Sequence, residues 1–187
     1  MNSILKVFVF IFAIFIILHY RKYVNYTKTY EIEQQELDYI KGSELYNTGN
    51  LLVITFIENI PLIKNVELYK LFSPLSFNKK QFAYTFTDSY VCHNNELCLI
   101  RPKKEITLEF INPKFKTHFK KVSKKDNLTN YTLHKDNYSK VQSIQIIVRE
   151  YNILYIPRFW LFKNNEQANI DMFLCDNIFT FPFSLIN

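Results

Sequence analysis

The chain has 187 residues, a formal net charge of +6, and 48% hydrophobic and 17% aromatic residues. This length accommodates one short anchor and one domain with a real core, and this composition argues against an intrinsically disordered chain. The chain contains two glycines, which excludes a glycine-rich phosphate loop. The abundance of Lys, Asn, Ile, Tyr and Phe is typical of an A/T-rich genome, such as that of a large DNA virus or a protist.

The N-terminal segment is strongly apolar. Residues 4–20, ILKVFVFIFAIFIILHY, contain no polar side chain from Val7 to Leu18. As a helix they span about 25 Å, against about 30 Å for the hydrocarbon core of a bilayer. The bulky residues that follow, HYRKYVNY, do not suit cleavage of a signal peptide. We therefore expect residues 1–20 to be an uncleaved transmembrane signal-anchor of a single-pass protein in a host or virion membrane.

The side of the membrane on which the domain lies stays open. Basic residues that follow the apolar segment slightly favour a cytoplasmic C-terminal domain. Sequons for N-glycosylation favour the opposite side, but chance alone accounts for about two of them, so the excess is small. These sequons begin at Asn25, Asn127, Asn130 and Asn137.

The remainder of the chain divides into a connector and one domain. Residues 21–50 form a polar connector, in which residues 30–42, YEIEQQELDYIKG, are predicted to form one helix. Residues 51–187 alternate apolar and polar side chains in short runs, which indicates an all-β sandwich or barrel. The predicted strands are 50–56, 65–72, 81–91, 96–100, 105–111, 139–150, 152–156 and 171–179.

A basic segment and three cysteines offer weaker signals. Residues 113–125, PKFKTHFKKVSKK, hold six lysines and no acidic residue. The segment fits a solvated loop, and Lys114–Lys125 also fits a surface for anionic headgroups. Nucleic acid is an unlikely partner because the chain has four arginines and no recognisable module. The cysteines Cys92, Cys98 and Cys175 are expected to be buried thiols, with a Cys92–Cys98 disulfide as the alternative in an oxidising compartment.

One stretch carries a family resemblance. Residues 148–162, VREYNILYIPRFWLF, resemble the late strand pair of cupin-like JmjC-type domains, the double-stranded β-helix of iron and 2-oxoglutarate oxygenases. The family reads pGD-x-LYIP-x-x-WWH here, and Leu154 to Pro157 together with Trp160 match it. The resemblance covers about residues 81–162 and implies a mainly β, cupin-like fold. It places Tyr155, Pro157, Arg158 and Trp160 in the wall of a pocket.

The functional positions of the family are changed in this chain. Phe86-Thr87-Asp88 stands where the family has His-x-Asp, and Phe162 stands at the second histidine position. Lys103 or Lys104 falls near the cosubstrate-binding lysine. A non-haem iron site needs two histidines and a carboxylate, and a phenyl ring donates no lone pair. The resemblance therefore implies a lost metal site, with no metal, no cofactor and no catalysis.

Strand alternation adds an expectation for the surviving carboxylate. If Phe86 points inward, Asp88 on the same strand face points inward too. A buried carboxylate needs a partner, so Asp88 is expected to form an ion pair with Lys103, Lys104 or Arg158. The alternative is an ordinary aspartate in the turn at the end of the strand.

These expectations describe a membrane-anchored pseudoenzyme that acts as a scaffold or as a binding module for a protein partner. One alternative is an unrelated β-rich viral or surface membrane protein. Another is an iron/2-oxoglutarate oxygenase with relocated ligands. Convergence of Phe86 and Phe162 inside one barrel favours the first interpretation.

Overall fold

The computed structural model describes residues 3–24, 30–36, 50–55, 76–125, 127–150 and 152–177. An α-helix, α1, spans Ser3–Val24, and its large apolar side chains from Ile4 to Leu18 are exposed, as at Phe8 and Phe12. Within these ranges, no helix has both the length and the apolar character that crossing a bilayer requires. The predicted N-terminal helix is confirmed, whereas its placement across a membrane remains a prediction.

The described part of the domain is built from strands, which confirms the predicted, mainly β fold class. In chain order they are β1 Ile32–Glu36, β2 Leu51–Thr55, β3 Ser76–Thr85, β4 Tyr90–His93, β5 Leu97–Pro102, β6 Ile106–Ile111, β7 Phe119–Lys125, β8 Leu128–Leu133, β9 Ser143–Val148, β10 Ile153–Ile156, β11 Leu161–Asn164 and β12 Asn169–Asn177.

The strands form two six-stranded sheets. The first sheet has the order β1-β2-β10-β5-β12-β3, and the second has the order β7-β8-β4-β11-β6-β9. Among the described strands, β1 and β2 are parallel, and the other neighbouring pairs are antiparallel.

Eight of these strands pair in a nested order. Strand β3 pairs with β12, β4 with β11, β5 with β10, and β6 with β9. The pairs belong alternately to the first and the second sheet. The chain therefore follows the path of one long antiparallel ribbon wound between two sheets. The hairpin β7–β8 is inserted between β6 and β9 and extends the second sheet beyond β4.

The main core lies between the two sheets, because both contribute its side chains. On β6 the predicted alternation is confirmed, since Ile106, Leu108 and Phe110 are buried and join this core. A smaller cluster lies on the other face of the second sheet. Its buried members are Tyr90, Cys92, Ile111, Phe119, Tyr131 and Leu161.

The predicted helix over residues 30–42 is wrong where the structure describes it. Residues Ile32–Glu36 form strand β1, and each of them pairs in parallel with a residue of β2. Backbone pairing with a neighbouring strand outweighs the helical preference of a Glu- and Gln-rich run. Part of the predicted connector therefore belongs to the domain, while residues 37–42 lie outside the described residues.

The other strand predictions differ mainly at the hairpins. The single strand predicted over residues 81–91 is two strands, β3 and β4, which belong to different sheets. The basic segment predicted as a loop folds into a 3-10 helix at Pro113–His118 followed by β7. The prediction for residues 65–72 lies outside the described residues.

Candidate functional site

The two phenylalanines at the expected histidine positions meet in the main core. Phe86 follows β3 directly, and Phe162 lies on β11 beside Val91 of β4. Their ring centroids are 6.0 Å apart with the planes at 79°, an edge-to-face contact. The two side chains are 1% and 0% exposed. The nested strand pairing brings them together although they are far apart in the sequence.

A third ring completes this arrangement. Phe110 of β6 stacks on Phe162 with a centroid distance of 6.0 Å and an interplanar angle of 24°. Aromatic contacts of this geometry stabilise a core but supply no lone pair to a cation. Within the described residues, no group of three or more His, Cys, Asp or Glu side chains could hold a metal ion. Chemically, this interior is an apolar, aromatic core.

The predicted inward position of Asp88 is wrong. Its side chain is exposed, because β3 ends at Thr85 and the alternation of the strand does not continue. The contact given for Asp88 is a long hydrogen bond of 3.4 Å, donated by Gln167 Nε2 to Asp88 Oδ1. None of the ion pairs between described residues includes Asp88.

The lysines at the expected cosubstrate position also lie at the surface. Lys103 and Lys104 are exposed in the turn after β5. The Nζ atom of Lys103 lies 3.7 Å from Oδ1 of Asp171, a partly buried carboxylate whose Oδ2 lies 2.8 Å from Arg101 Nη2. Neither side chain joins the buried rings, and neither forms the expected ion pair with Asp88 among the described residues.

The predicted pocket wall divides into three environments. Trp160 and Pro157 are buried, and Trp160 belongs to the main core, as expected. Tyr155 is buried but points to the opposite face of the first sheet from the core residues Leu154 and Ile156. Arg158 instead forms an ion pair with Glu96, with Nη1 2.8 Å from Oε2.

The turn before β11 holds Phe159 in an unusual backbone conformation. Its φ is 68°, which is uncommon for a bulky residue. The Phe159 N–H donates to the His93 carbonyl oxygen at 3.1 Å, and this bond ties the turn to the end of β4.

Sequence reasoning missed a buried polar group of residues at that end of the domain. The turn from β4 to β5 buries His93, Asn94, Asn95 and Glu96. His93 Nε2 donates to the Ile156 carbonyl oxygen at 3.0 Å. We call these four residues, with Arg158 and Asp176, the turn cluster.

The turn cluster is held by specific polar contacts. Asn95 Nδ2 donates to the buried Asp176 Oδ1 at 3.0 Å. The side chains of Arg158 and Glu96 are 13% and 5% exposed, so their charges are largely removed from water. Buried polar groups with partners of this kind fix one arrangement of a turn.

Burial changes the acidity of His93. Desolvation lowers the pKa of its imidazole to about 4, the hydrogen bond to Ile156 opposes this shift, and the Arg158 charge adds to it. His93 is therefore neutral near pH 7, which agrees with one ring nitrogen donating to a carbonyl oxygen. The sequence held one signal for it: His93-x-Asn95 has the same spacing as the His-x-Asp that the resemblance implies.

The cysteines have the predicted state. Cys92, Cys98 and Cys175 are free and buried, which confirms the expected thiols. Burial raises the pKa of Cys92 to about 11 and also raises that of Cys98. The side chains of Cys92 and His93 point to different surroundings, as expected for neighbours on a strand.

Comparison with known proteins gives no assignment. No protein-family model matches the chain, and no curated protein matches its sequence.

Proposed function

We propose that this chain is a membrane-anchored, non-catalytic protein with a cupin-like double-stranded β-helix, in which aromatic side chains replace a metal site. The domain then acts as a scaffold or binding module and not as an oxygenase. The observation that carries the proposal is the contact of Phe86 and Phe162 inside the main core, at a centroid distance of 6.0 Å.

The nested pairing supports the fold assignment. A double-stranded β-helix is an antiparallel ribbon wound into two facing sheets, so its first strand pairs with its last and its second with its next to last. The pairs β3–β12, β4–β11, β5–β10 and β6–β9 have this order. Residues Leu154–Ile156 of the LYIP-x-x-W stretch then lie on the third-last strand, and Pro157–Trp160 lie in the turn that leads to the second-last strand.

The contents of the interior support a lack of catalysis. Iron in this class of enzyme needs two imidazoles and a carboxylate with open positions beside them. Here phenyl rings fill the space, and Asp88 is exposed. The buried His93 belongs to no group of three or more potential metal ligands among the described residues.

Metal binding tests this part of the proposal. The purified full chain in detergent is dialysed against Mn²⁺, a redox-stable substitute for Fe²⁺, with a working 2-oxoglutarate oxygenase as the positive control. We expect no stoichiometric metal and no consumption of 2-oxoglutarate when Fe²⁺ and ascorbate are supplied. One bound ion per chain would overturn the proposal in favour of relocated ligands.

The exposed apolar surface of α1 supports membrane attachment. Large apolar side chains occupy nearly all positions from Ile4 to Leu18 and are exposed, and a helix that is apolar all round is suited to a lipid environment. We expect the full chain to remain in the membrane fraction after an alkaline carbonate wash. A variant with Phe12→Lys and Ile16→Lys is expected to be released. If carbonate releases both the unaltered chain and the variant, the proposed membrane attachment is wrong. Protease added to each side of the membrane in turn distinguishes a helix that spans the membrane from one that lies in its plane.

A further inference from the structure

We propose that a basic surface on the inserted hairpin binds anionic phospholipid headgroups of the membrane that holds α1. This surface, the lysine edge, consists of residues 114–125. The inference rests on the proposed membrane attachment. It adds a binding partner, the anionic lipids, and it places the domain at the cytoplasmic leaflet, because anionic lipids are concentrated there.

The lysine edge is an accessible strand edge. Strand β7 is the outermost strand of the second sheet, and all residues from Lys120 to Lys125 are exposed. The register shifts between Lys121 and Ser123, so Val122 is an extra residue in a bulge. Its apolar side chain is 59% exposed between lysines. Cationic groups around one apolar side chain suit the interface between headgroups and acyl chains.

The lysines of β7 concentrate positive charge on this edge. None of the ion pairs between described residues involves a lysine of β7. The segment from Lys114 to Lys125 itself contains no Asp or Glu. A cluster of exposed lysines is attracted to an anionic surface over about one Debye length.

Two further lysines are pre-positioned on aromatic rings. The Nζ atom of Lys116 lies 5.3 Å from the ring centroid of Tyr131 and 5.4 Å from that of Phe159. The Nζ atom of Lys114 lies 5.0 Å from the ring centroid of Phe115. The 3-10 helix that carries both lysines is capped by Asn112, whose Oδ1 accepts from the Lys114 N–H at 3.0 Å. These contacts hold the two ammonium groups at defined positions on the domain surface.

The lysine edge begins where the chain arrives from α1. The stretch of chain between the end of α1 and Tyr30 can span at most about 20 Å. The hydroxyl of Tyr30 donates to the Gln142 carbonyl oxygen and accepts from the Asn112 N–H at 3.2 Å. Lys114 Nζ lies 5.5 Å from the centroid of the Tyr30 ring. A helix inserted in a membrane therefore keeps the start of the lysine edge close to that membrane.

The test uses a dye on the lysine edge of the full chain. The native thiols are buried, so Val122→Cys can be labelled selectively with an environment-sensitive dye. The labelled chain is mixed with vesicles of pure phosphatidylcholine or with roughly one-third phosphatidylserine. We expect a blue shift of the dye only with phosphatidylserine, and we expect added salt to reverse it.

Two charge-matched variants decide whether the lysine edge is responsible. Changing Lys120, Lys121, Lys124 and Lys125 to Glu is expected to remove the lipid-dependent shift of the dye, although α1 still attaches the chain to the vesicles. The control changes Lys79, Lys80, Lys103 and Lys104 to Glu, which alters the net charge equally but leaves β7 intact, and it is expected to keep the shift.

The outcomes separate this inference from the proposed attachment. Equal dye signals with both lipids would overturn the proposed lipid binding, and so would an unchanged signal after charge reversal on β7. In either case the lysines would serve to protect the exposed edge of β7 from pairing with another strand. A stronger response to single-stranded RNA than to anionic vesicles overturns it in favour of nucleic acid. A lipid-dependent shift in a chain that carbonate releases supports the inference and contradicts anchoring by α1.

Discussion

Phe86 and Phe162 contact each other edge to face in the core, with ring centroids 6.0 Å apart and both side chains fully buried. Phe162→His adds one imidazole at this point but no second ligand, because the carboxylate of Asp88 is exposed. We expect this variant to bind no more Mn²⁺ than the unaltered chain, measured by electron paramagnetic resonance. Burial of a polar ring should also lower the free energy of unfolding by about 2 kcal/mol.

The control for that experiment is Phe162→Leu, which keeps the position apolar. It is expected to be closer in stability to the unaltered chain and equally free of metal. If Phe162→His alone binds stoichiometric Mn²⁺, other metal-ligating side chains already face this position. That result would contradict the proposal that the core no longer holds a metal site.

Trp160 is the largest fully buried side chain of the core. Its ring packs edge to face with Tyr30 at 5.6 Å, so it also connects the core to the segment that follows α1. Trp160→Ala is expected to lower the free energy of unfolding by about 3–5 kcal/mol, measured by urea denaturation followed by circular dichroism. The control Tyr138→Ala, at a 66% exposed site, should change it by less than about 0.5 kcal/mol. An unaltered denaturation curve for Trp160→Ala would contradict the packing described here.

The sequence predicted the β class and the convergence of Phe86 with Phe162 because both follow from local pattern and motif position. It could not predict the partner of Arg158, since that depends on where β3 stops. The strand ends at Thr85, which releases Asp88 to solvent and leaves Glu96 as the acid beside Arg158. Strand β1 was missed for a similar reason, because its Glu- and Gln-rich sequence becomes a strand only through pairing with β2.

The pairing of Arg158 with Glu96 instead of Asp88 can be tested by replacing each of the two acidic residues. Glu96→Ala leaves the Arg158 charge buried without its carboxylate, and we expect a loss of about 3 kcal/mol of unfolding free energy. Asp88→Ala removes an exposed acid and is expected to change it by less than about 0.5 kcal/mol. Thermal denaturation of the two variants side by side gives the comparison. If Asp88→Ala lowers the free energy of unfolding as much as Glu96→Ala does, Asp88 contributes to stability after all.

The buried thiols predict slow modification. Cys92, Cys98 and Cys175 are 0% exposed, and burial raises the pKa of Cys92 to about 11, which suppresses its reactive thiolate. We expect Ellman's reagent to modify none of them in the folded chain and all three in guanidinium chloride. Rapid modification of a thiol in the folded chain would show that the core opens at that position.

His93 predicts a loss of stability in mild acid. Its pKa is lowered to about 4 in the folded chain from an ordinary value of 6.5, mainly by desolvation. The unfolded chain therefore binds more protons between these values, and the folded state is increasingly destabilised as the pH falls from about 6.5 towards 4. We expect the melting temperature to fall across this window and His93→Gln to flatten the dependence. The exposed His134 gives a control substitution, His134→Gln, which also removes one imidazole but leaves the turn cluster intact. A His93→Gln profile parallel to that of the unaltered chain would assign the acid sensitivity to carboxylates instead.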